Sequence, residues 1–278
     1  MIIGITGLGL IGGSLAKAYR AAGHEVYGFD EDEAILGFAR LAGAISGVLD
    51  DQSIGRSAAL FVAINPAAAM DYLKQVAPQI AKDSLVFDVC GVKRTVCERM
   101  FALADEHGFT FVGAHPMAGS HKDGFKNSRA DLFSGASMIL VPPVYDDADL
   151  FGRIEAVLKP LGFGHLTVTT AEKHDEMIAF SSQMAHIVSN AFIKSKSAGS
   201  HKGFSAGSYR DLTRVARLNA AMWSELTMAN ADYLLAELDG FIAEVEKYKE
   251  ALIAGDHARM QKLLEEGSRR KEEVEDST

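Results

Sequence analysis

The chain has 278 residues, 48% of them apolar and 23% charged, and no run of about twenty consecutive apolar residues, so disorder, collagen and a membrane-spanning helix are excluded. Thirty-seven acidic residues against 28 basic ones leave a net charge of −9, which repels nucleic acid and anionic membrane, and neither is expected as a partner. The length lies where one hydrophobic core stops growing, and two domains are expected, over residues 1–170 and 171–278.

From residue 1 to about 170, short β-branched runs alternate with helical patterns, punctuated by Gly, Asp or Pro. Strands are predicted at Ile2 to Thr6, Glu25 to Phe29, Leu60 to Ile64, Ser84 to Val89, Thr110 to Val112, Ser137 to Val141 and Leu166 to Thr169. Several are apolar on both faces, as befits a parallel sheet covered by helices on each side. The fold class is therefore α/β, with a Rossmann-type doubly wound N-terminal domain. After Thr170 the strand signals stop. Apolar residues at Met177, Phe180, Met184, Ile187 and Ala191 predict a helix over residues 171–194. Another is expected over 211–219 and a long one from about residue 222 to 254, so the C-terminal domain is all-α. Residues 257–278, dense in Glu, Lys and Arg, predict an exposed terminal helix or a frayed tail. The opening Met1-Ile2-Ile3-Gly4-Ile5-Thr6 enters a strand without a basic, apolar and cleavable leader, and Cys90 and Cys97 form no CxxC pair. A cytoplasmic location is expected.

Gly7-Leu8-Gly9-Leu10-Ile11-Gly12 matches GxGxxG between a predicted strand and a predicted helix. The turn requires Gly7, pyrophosphate approaches the backbone where Gly9 lacks a Cβ, and Gly12 lets helix and strand pack closely. With Leu10 and Ile11 the loop delivers phosphate to a helix N-terminus. Asp30 ends the next strand eighteen positions beyond Gly12, where a carboxylate accepts hydrogen bonds from the adenosine ribose. The following Glu31, Asp32 and Glu33 supply no Arg for a 2′-phosphate, so NAD is the expected cofactor.

Asn65-Pro66 ends one strand and is placed over the cofactor, and Asp88-Val89-Cys90-Gly91-Val92-Lys93 ends the next, putting Gly91 beside the nicotinamide. Cys90 is read as structural, since no His or CxxC partner activates it. Gly113-Ala114-His115-Pro116-Met117-Ala118-Gly119-Ser120 follows a short strand. Pro116 biases His115 away from the helical region, and the small residues after it leave room for a substrate beside an imidazole suited to general-base work. His115 and His121 have no accompanying ligands at zinc spacing, and no metal is expected. Farther on, Ser182, His186 and Ser189, with Gln183 and Asn190, make a polar helix face lacking Lys and Glu, which suits a pocket wall. Asp211 and Arg214 stand at i and i+3 between Arg210 and Arg217, either as a surface ion pair or with the guanidinium free to bind a carboxylate bidentately.

Together these segments resemble the prephenate and arogenate dehydrogenase family of tyrosine biosynthesis over nearly the whole chain. Gly7 to Ser14 is similar to its nucleotide loop and Gly113 to Gly119 to its catalytic loop, while Asp211-Leu212-Thr213-Arg214, with Trp223 nine residues after Arg214, resembles its substrate helix. The resemblance implies NAD-dependent oxidative decarboxylation of prephenate to 4-hydroxyphenylpyruvate, with His115 as base, Arg214 as carboxylate binder, His186 lining the pocket and a helical dimerisation domain that makes the protein a homodimer. Asp211, Gln183 and His121 join the expected substrate site. Gly91 stands where many members carry a serine, a hydroxyl that Ser120 is expected to replace in a supporting role, and His121 where some members have glutamate. An arogenate-specific or dual enzyme is the alternative, and a non-catalytic NAD-binding sensor is the alternative of another class. Another oxidoreductase, acting on a β-hydroxyacid, shares the two-domain plan, but its lysine on the helical domain has no counterpart beside His186 and Asn190.

Overall fold

The computed structural model describes residues 1–119 and 122–276 and builds its sheet from the β-branched runs. The strands are β1 (Ile2–Thr6), β2 (Glu25–Phe29), β3 (Gly47–Val48), β4 (Ala59–Val62), β5 (Leu85–Asp88), β6 (Thr110–Pro116), β7 (Ser137–Val141) and β8 (His165–Val168). Their spatial order is β3-β2-β1-β4-β5-β6-β7-β8. All pairings are parallel except β6 with β7, where His115 faces Ile139. From β1 the chain winds outward through β2 to β3, then crosses back to β4 and winds the other way. The loops after β1 and β4 therefore part around a crevice at the carboxyl ends, the usual ligand position in such sheets. The two residues of β3 are too few to show a periodicity. β6 runs to Pro116, so His115 is a strand residue and not, as expected, part of a loop beyond the strand.

Helices α1 (Leu10–Ala21), α2 (Glu33–Leu41), α3 (Asp51–Ile54), α4 (Pro66–Val76), α5 (Arg94–His107) and α6 (Ala148–Leu158) flank the sheet. Local chemistry sets their ends: the Asp32 and Asp147 carboxylates accept from Ala34 N and Leu150 N, and Gly108 closes α5 at φ 80°. Alternating side chains divide the core between the faces. Phe61 and Phe87 stack at 4.9 Å on one face, in a cluster with Leu15, Tyr19 and Ile154. Leu60, Val62 and Val86 meet Leu73, Met100 and Phe111 on the other. Each such fully buried side chain stabilises the fold by roughly 1.5–3 kcal/mol before entropy is counted.

Thr170, whose hydroxyl accepts from Lys173 N, starts α7 (Ala171–Ile178). A π-helical segment, Ala179–Met184, separates it from α8 (Ala185–Phe192), so the helix predicted over 171–194 is not continuous. The helix expected over 211–219 begins earlier and ends sooner, as α9 (Gly207–Thr213). Asn219 caps α10 (Ala220–Ala229), and the long helix expected from residue 222 breaks at the buried Asn230. Met1–Asn230 form one compact unit. The second, Ala231–Thr278, contains α11 (Ala231–Ala254) and α12 (His257–Asp276); the latter is largely exposed, as its charge density predicts. Among the described residues no helix is long and apolar enough to cross a membrane.

Candidate active site

The glycine loop has the expected division of labour. Gly7 takes φ +82°, and a Cβ there would lie 2.4 Å from Ala63 O; a Cβ at Gly12 would lie 1.8 Å from Gly7 O. At Gly9 a Cβ would meet nothing within 4 Å, so the backbone faces open space. The first N–H groups of α1, at Leu10, Ile11 and Gly12, have no acceptor within the helix. This cradle fits a dinucleotide pyrophosphate. Asp30 directly follows β2 and is already engaged: Oδ2 accepts from Leu8 N at 2.7 Å and Oδ1 from Asp32 N at 3.0 Å. A carboxylate has about four acceptor positions, so it can brace the loop and still accept from a ribose.

The junction of β5 with α5 holds a buried charge network. Lys93 Nζ donates to Asp88 Oδ2, both side chains being fully buried. Burial pulls the Lys93 ammonium down, but the Asp88 carboxylate, together with Cys90 and Cys97, outweighs it and leaves the lysine above its ordinary range. Asp88 also accepts from Cys90 N at 3.1 Å and from Ala114 N at 3.2 Å, tying β5 to the residue before His115. Burial pushes the Cys90 thiol well above its ordinary range, in keeping with a structural cysteine. Gly91 is half-buried, and a Cβ there would lie 3.2 Å from a Leu226 methyl group.

Asp175, on α7, binds the same junction. Its Oδ1 accepts from Lys93 N at 2.7 Å, and its Oδ2 from Arg94 N at 2.9 Å and Arg94 Nε at 3.3 Å. Asn230 continues the network, donating to Asp175 O at 2.8 Å and Gln183 Oε1 at 2.9 Å and accepting from Arg94 at 3.0 Å. Gln183 also donates to Leu226 O at 3.2 Å. Buried and bonded at both ends of its amide, Gln183 is a packing residue, not the pocket-facing one expected. His115 is half-buried on β6. Its Nδ1 lies 2.8 Å from His174 Nε2, and His174 Nδ1 lies 2.7 Å from Asp175 Oδ1. Burial, then the charges of His174 and Lys93, hold the His115 imidazolium well below the ordinary histidine range, so the ring is neutral at pH 7.

A second group lies on the helices. His186 Nδ1 donates to Ser182 O at 2.8 Å, and its ring packs on Trp223 at 4.1 Å. Ser189 Oγ donates to Leu212 O at 2.7 Å and Asn190 Nδ2 to Ala216 O at 2.9 Å, tying the segment that carries Arg214 to α8. Arg214 is exposed, and Asp211 pairs at 3.5 Å with Arg210 instead of with Arg214. Asn65 is exposed before α4, whose Ala67 N donates to Glu225 Oε1 at 2.7 Å. The structure thus joins His115 to the α7 network, and His186 to Trp223 and the Arg214 segment. Ser120 and His121 lie outside the described residues.

Sequence reasoning overlooks His174, Asp175 and Asn230. Within Glu172-Lys173-His174-Asp175-Glu176 the pair reads as part of a solvated charge run. The available signal is helical spacing: His174 and Asp175 fall between Ala171 and Ile178 on the buried stripe.

Comparison with known proteins gives two family matches. The prephenate dehydrogenase nucleotide-binding domain matches residues 15–166, and the prephenate dehydrogenase dimerization domain matches residues 170–266. A cyclohexadienyl dehydrogenase from Zymomonas mobilis is 32% identical over 91% of this chain and 89% of its own. A prephenate dehydrogenase from Bacillus subtilis is 30% identical over 88% of this chain and 68% of its own. The fold is similar to that of the prephenate dehydrogenase from A. aeolicus in complex with hydroxyphenyl propionate and NAD+, with a TM-score of 0.82 and 23% identity over 99% of this chain and 98% of that one.

Proposed function

The chain belongs to the prephenate dehydrogenase family, and from this premise we propose that it oxidises prephenate with NAD, releasing CO2 and 4-hydroxyphenylpyruvate, with His115 as general base. The observation that carries the reading is the state of His115: half-buried, neutral, bonded at Nδ1, and with Nε2 unpartnered among the described residues. Gly7, Gly9, Leu10, Ile11 and Gly12 hold the dinucleotide, Asp30 its ribose, and Asn65 and Gly91 border it. When bound, the nicotinamide supplies the hydride acceptor. His115 Nε2 takes the proton of the ring hydroxyl as hydride leaves the same carbon, and loss of the ring carboxylate as CO2 restores aromaticity. Arg214 anchors a substrate carboxylate through charge-assisted hydrogen bonds, with Asp211 on the same segment. His186, held against Trp223, forms part of the pocket wall. The resemblance gives Ser120 a supporting catalytic role and His121 a role in substrate binding.

The division of the family matches between residues 166 and 170 supports a domain boundary at residue 170. A homodimer is supported by the dimerization-domain match and by α11, where Leu235, Ile242, Val245 and Leu252 form an exposed apolar stripe at heptad-related spacing. A cytoplasmic location fits a biosynthetic reaction with NAD.

The test is steady-state formation of NADH from prephenate and, because the Zymomonas relative is named a cyclohexadienyl dehydrogenase, from arogenate. Prephenate turnover is expected. His115→Asn should lower kcat by about 10²–10⁴-fold with NAD binding retained, and Arg214→Ala should raise KM by about tenfold or more. NAD binding without turnover of either substrate would leave a non-catalytic binder.

A further inference from the structure

The base reading of His115 requires a particular tautomer, since a neutral imidazole offers a lone pair at only one nitrogen. Resting on that reading, we propose that the buried His174–Asp175 pair is a positioning device that locks His115 as its Nδ1–H tautomer and so delivers the lone pair at Nε2.

The argument is a count of protons along one chain of contacts. Asp175 faces three donors at the start of α5, Lys93 N just before it and Arg94 N and Nε within it, and its carboxylate can only accept. Burial raises this carboxyl, but the bonds from His174 and the Arg94 and Lys93 backbone outweigh it and keep Asp175 ionised. The atom of His174 at Asp175 Oδ1 is Nδ1, which must therefore be the donor. Burial keeps His174 neutral against the opposing pull of Asp175, so the ring carries no second proton and its Nε2 accepts. Across 2.8 Å, His115 Nδ1 must then donate, and Nε2 is left bare. The reverse assignment would set two lone pairs, or two hydrogens, against each other at a buried contact.

The geometry is held from three elements. Asp88 fixes Ala114 on β6, Asp175 joins α7 to the start of α5, and His174 bridges α7 to β6. The charged and titratable groups facing the pair are Arg94, His115, Cys97 and the Asp88–Lys93 ion pair. His174 is the one hydrogen-bond partner of the His115 imidazole among the described residues.

Nitrogen-15 NMR of histidine-labelled protein reads the tautomer directly. The expected result is a protonated Nδ1 and a bare Nε2 at His115; an Nε2–H tautomer in the wild-type protein overturns the proposal. His174→Gln keeps an acceptor at the position of Nε2 and should leave kcat within about threefold. His174→Leu removes it and should lower kcat by about 10–1,000-fold, with KM for prephenate and NAD affinity unchanged, while the His115 signal loses its fixed tautomer. A folded leucine variant with wild-type kcat, or a glutamine variant as slow as the leucine one, defeats the positioning role. If the leucine variant does not fold, the wild-type spectrum decides. Retained activity in His115→Asn would instead defeat the base assignment, which the tautomer measurement does not depend on.

Discussion

At position 115 burial acts against charge, and two pH effects follow with definite signs. On the proposed reading the working base is the neutral imidazole, and its protonation is displaced below the ordinary histidine range of about 6.5. The acid limb of kcat/KM should therefore fall at pH values below 6.5, the lost activity tracking protonation of His115. Folding is linked to the same groups. His115 and His174 both have lowered folded-state values, so below about pH 6.5 the unfolded chain binds more protons than the folded one. Stability is then lost as pH falls from about 6.5 through the folded values. Thermal unfolding followed from pH 8 to pH 5 should show Tm falling on acidification, and a rising Tm would contradict the burial of these rings. Gly7, Gly9 and Gly12 are legible in sequence because each does a local job, a positive φ, an open approach or a close packing contact. His174 is not, because its meaning depends on a strand 59 positions away.

Among the elements, the helix after Thr170 departs most from expectation. The periodicity of Met177, Phe180 and Ala191 correctly marks it as helical, yet these side chains are exposed while His174, Asp175, Gln183 and Ser189 are buried. One face therefore packs with polar groups that satisfy one another. The π segment at Ala179–Met184 lies within this face and shifts the register of α8 relative to α7. Asn230 is the sharpest test of the arrangement. Replacing it with alanine leaves Gln183 Oε1 without its donor and takes one bond each from Asp175 O, which keeps Ala179 N, and from Arg94, which keeps Asp175, at a cost of about 1–3 kcal/mol. Urea unfolding of Asn230→Ala should show a lower midpoint with an unchanged slope; an unchanged midpoint would mean that water replaces the amide without loss. The length of β6 was equally hidden, because Pro116 reads as a strand terminator although it can occupy the last strand position, opposite Met138 of β7.

For the whole molecule, the apolar stripe of α11 calls for a partner, since Leu252 is 71% exposed and leaving such a row in water forfeits roughly 25 cal/mol per Å². The homodimer reading predicts a sedimenting species of twice 29.9 kDa. Val245→Asp should shift it toward the monomer, and a wild-type monomer at micromolar concentration would remove the proposed partner. The sequence by itself determined seven of the eight strands of the α/β sheet, the nucleotide loop and the choice of candidate base. These depend on periodicity, glycine conformation and short motifs, which act over a few residues. Only the tertiary structure decided which polar groups meet. Asp175 binds Lys93 N from 82 positions away, because buried carboxylates, imidazoles and amides must find partners wherever the folded chain brings donors and acceptors together.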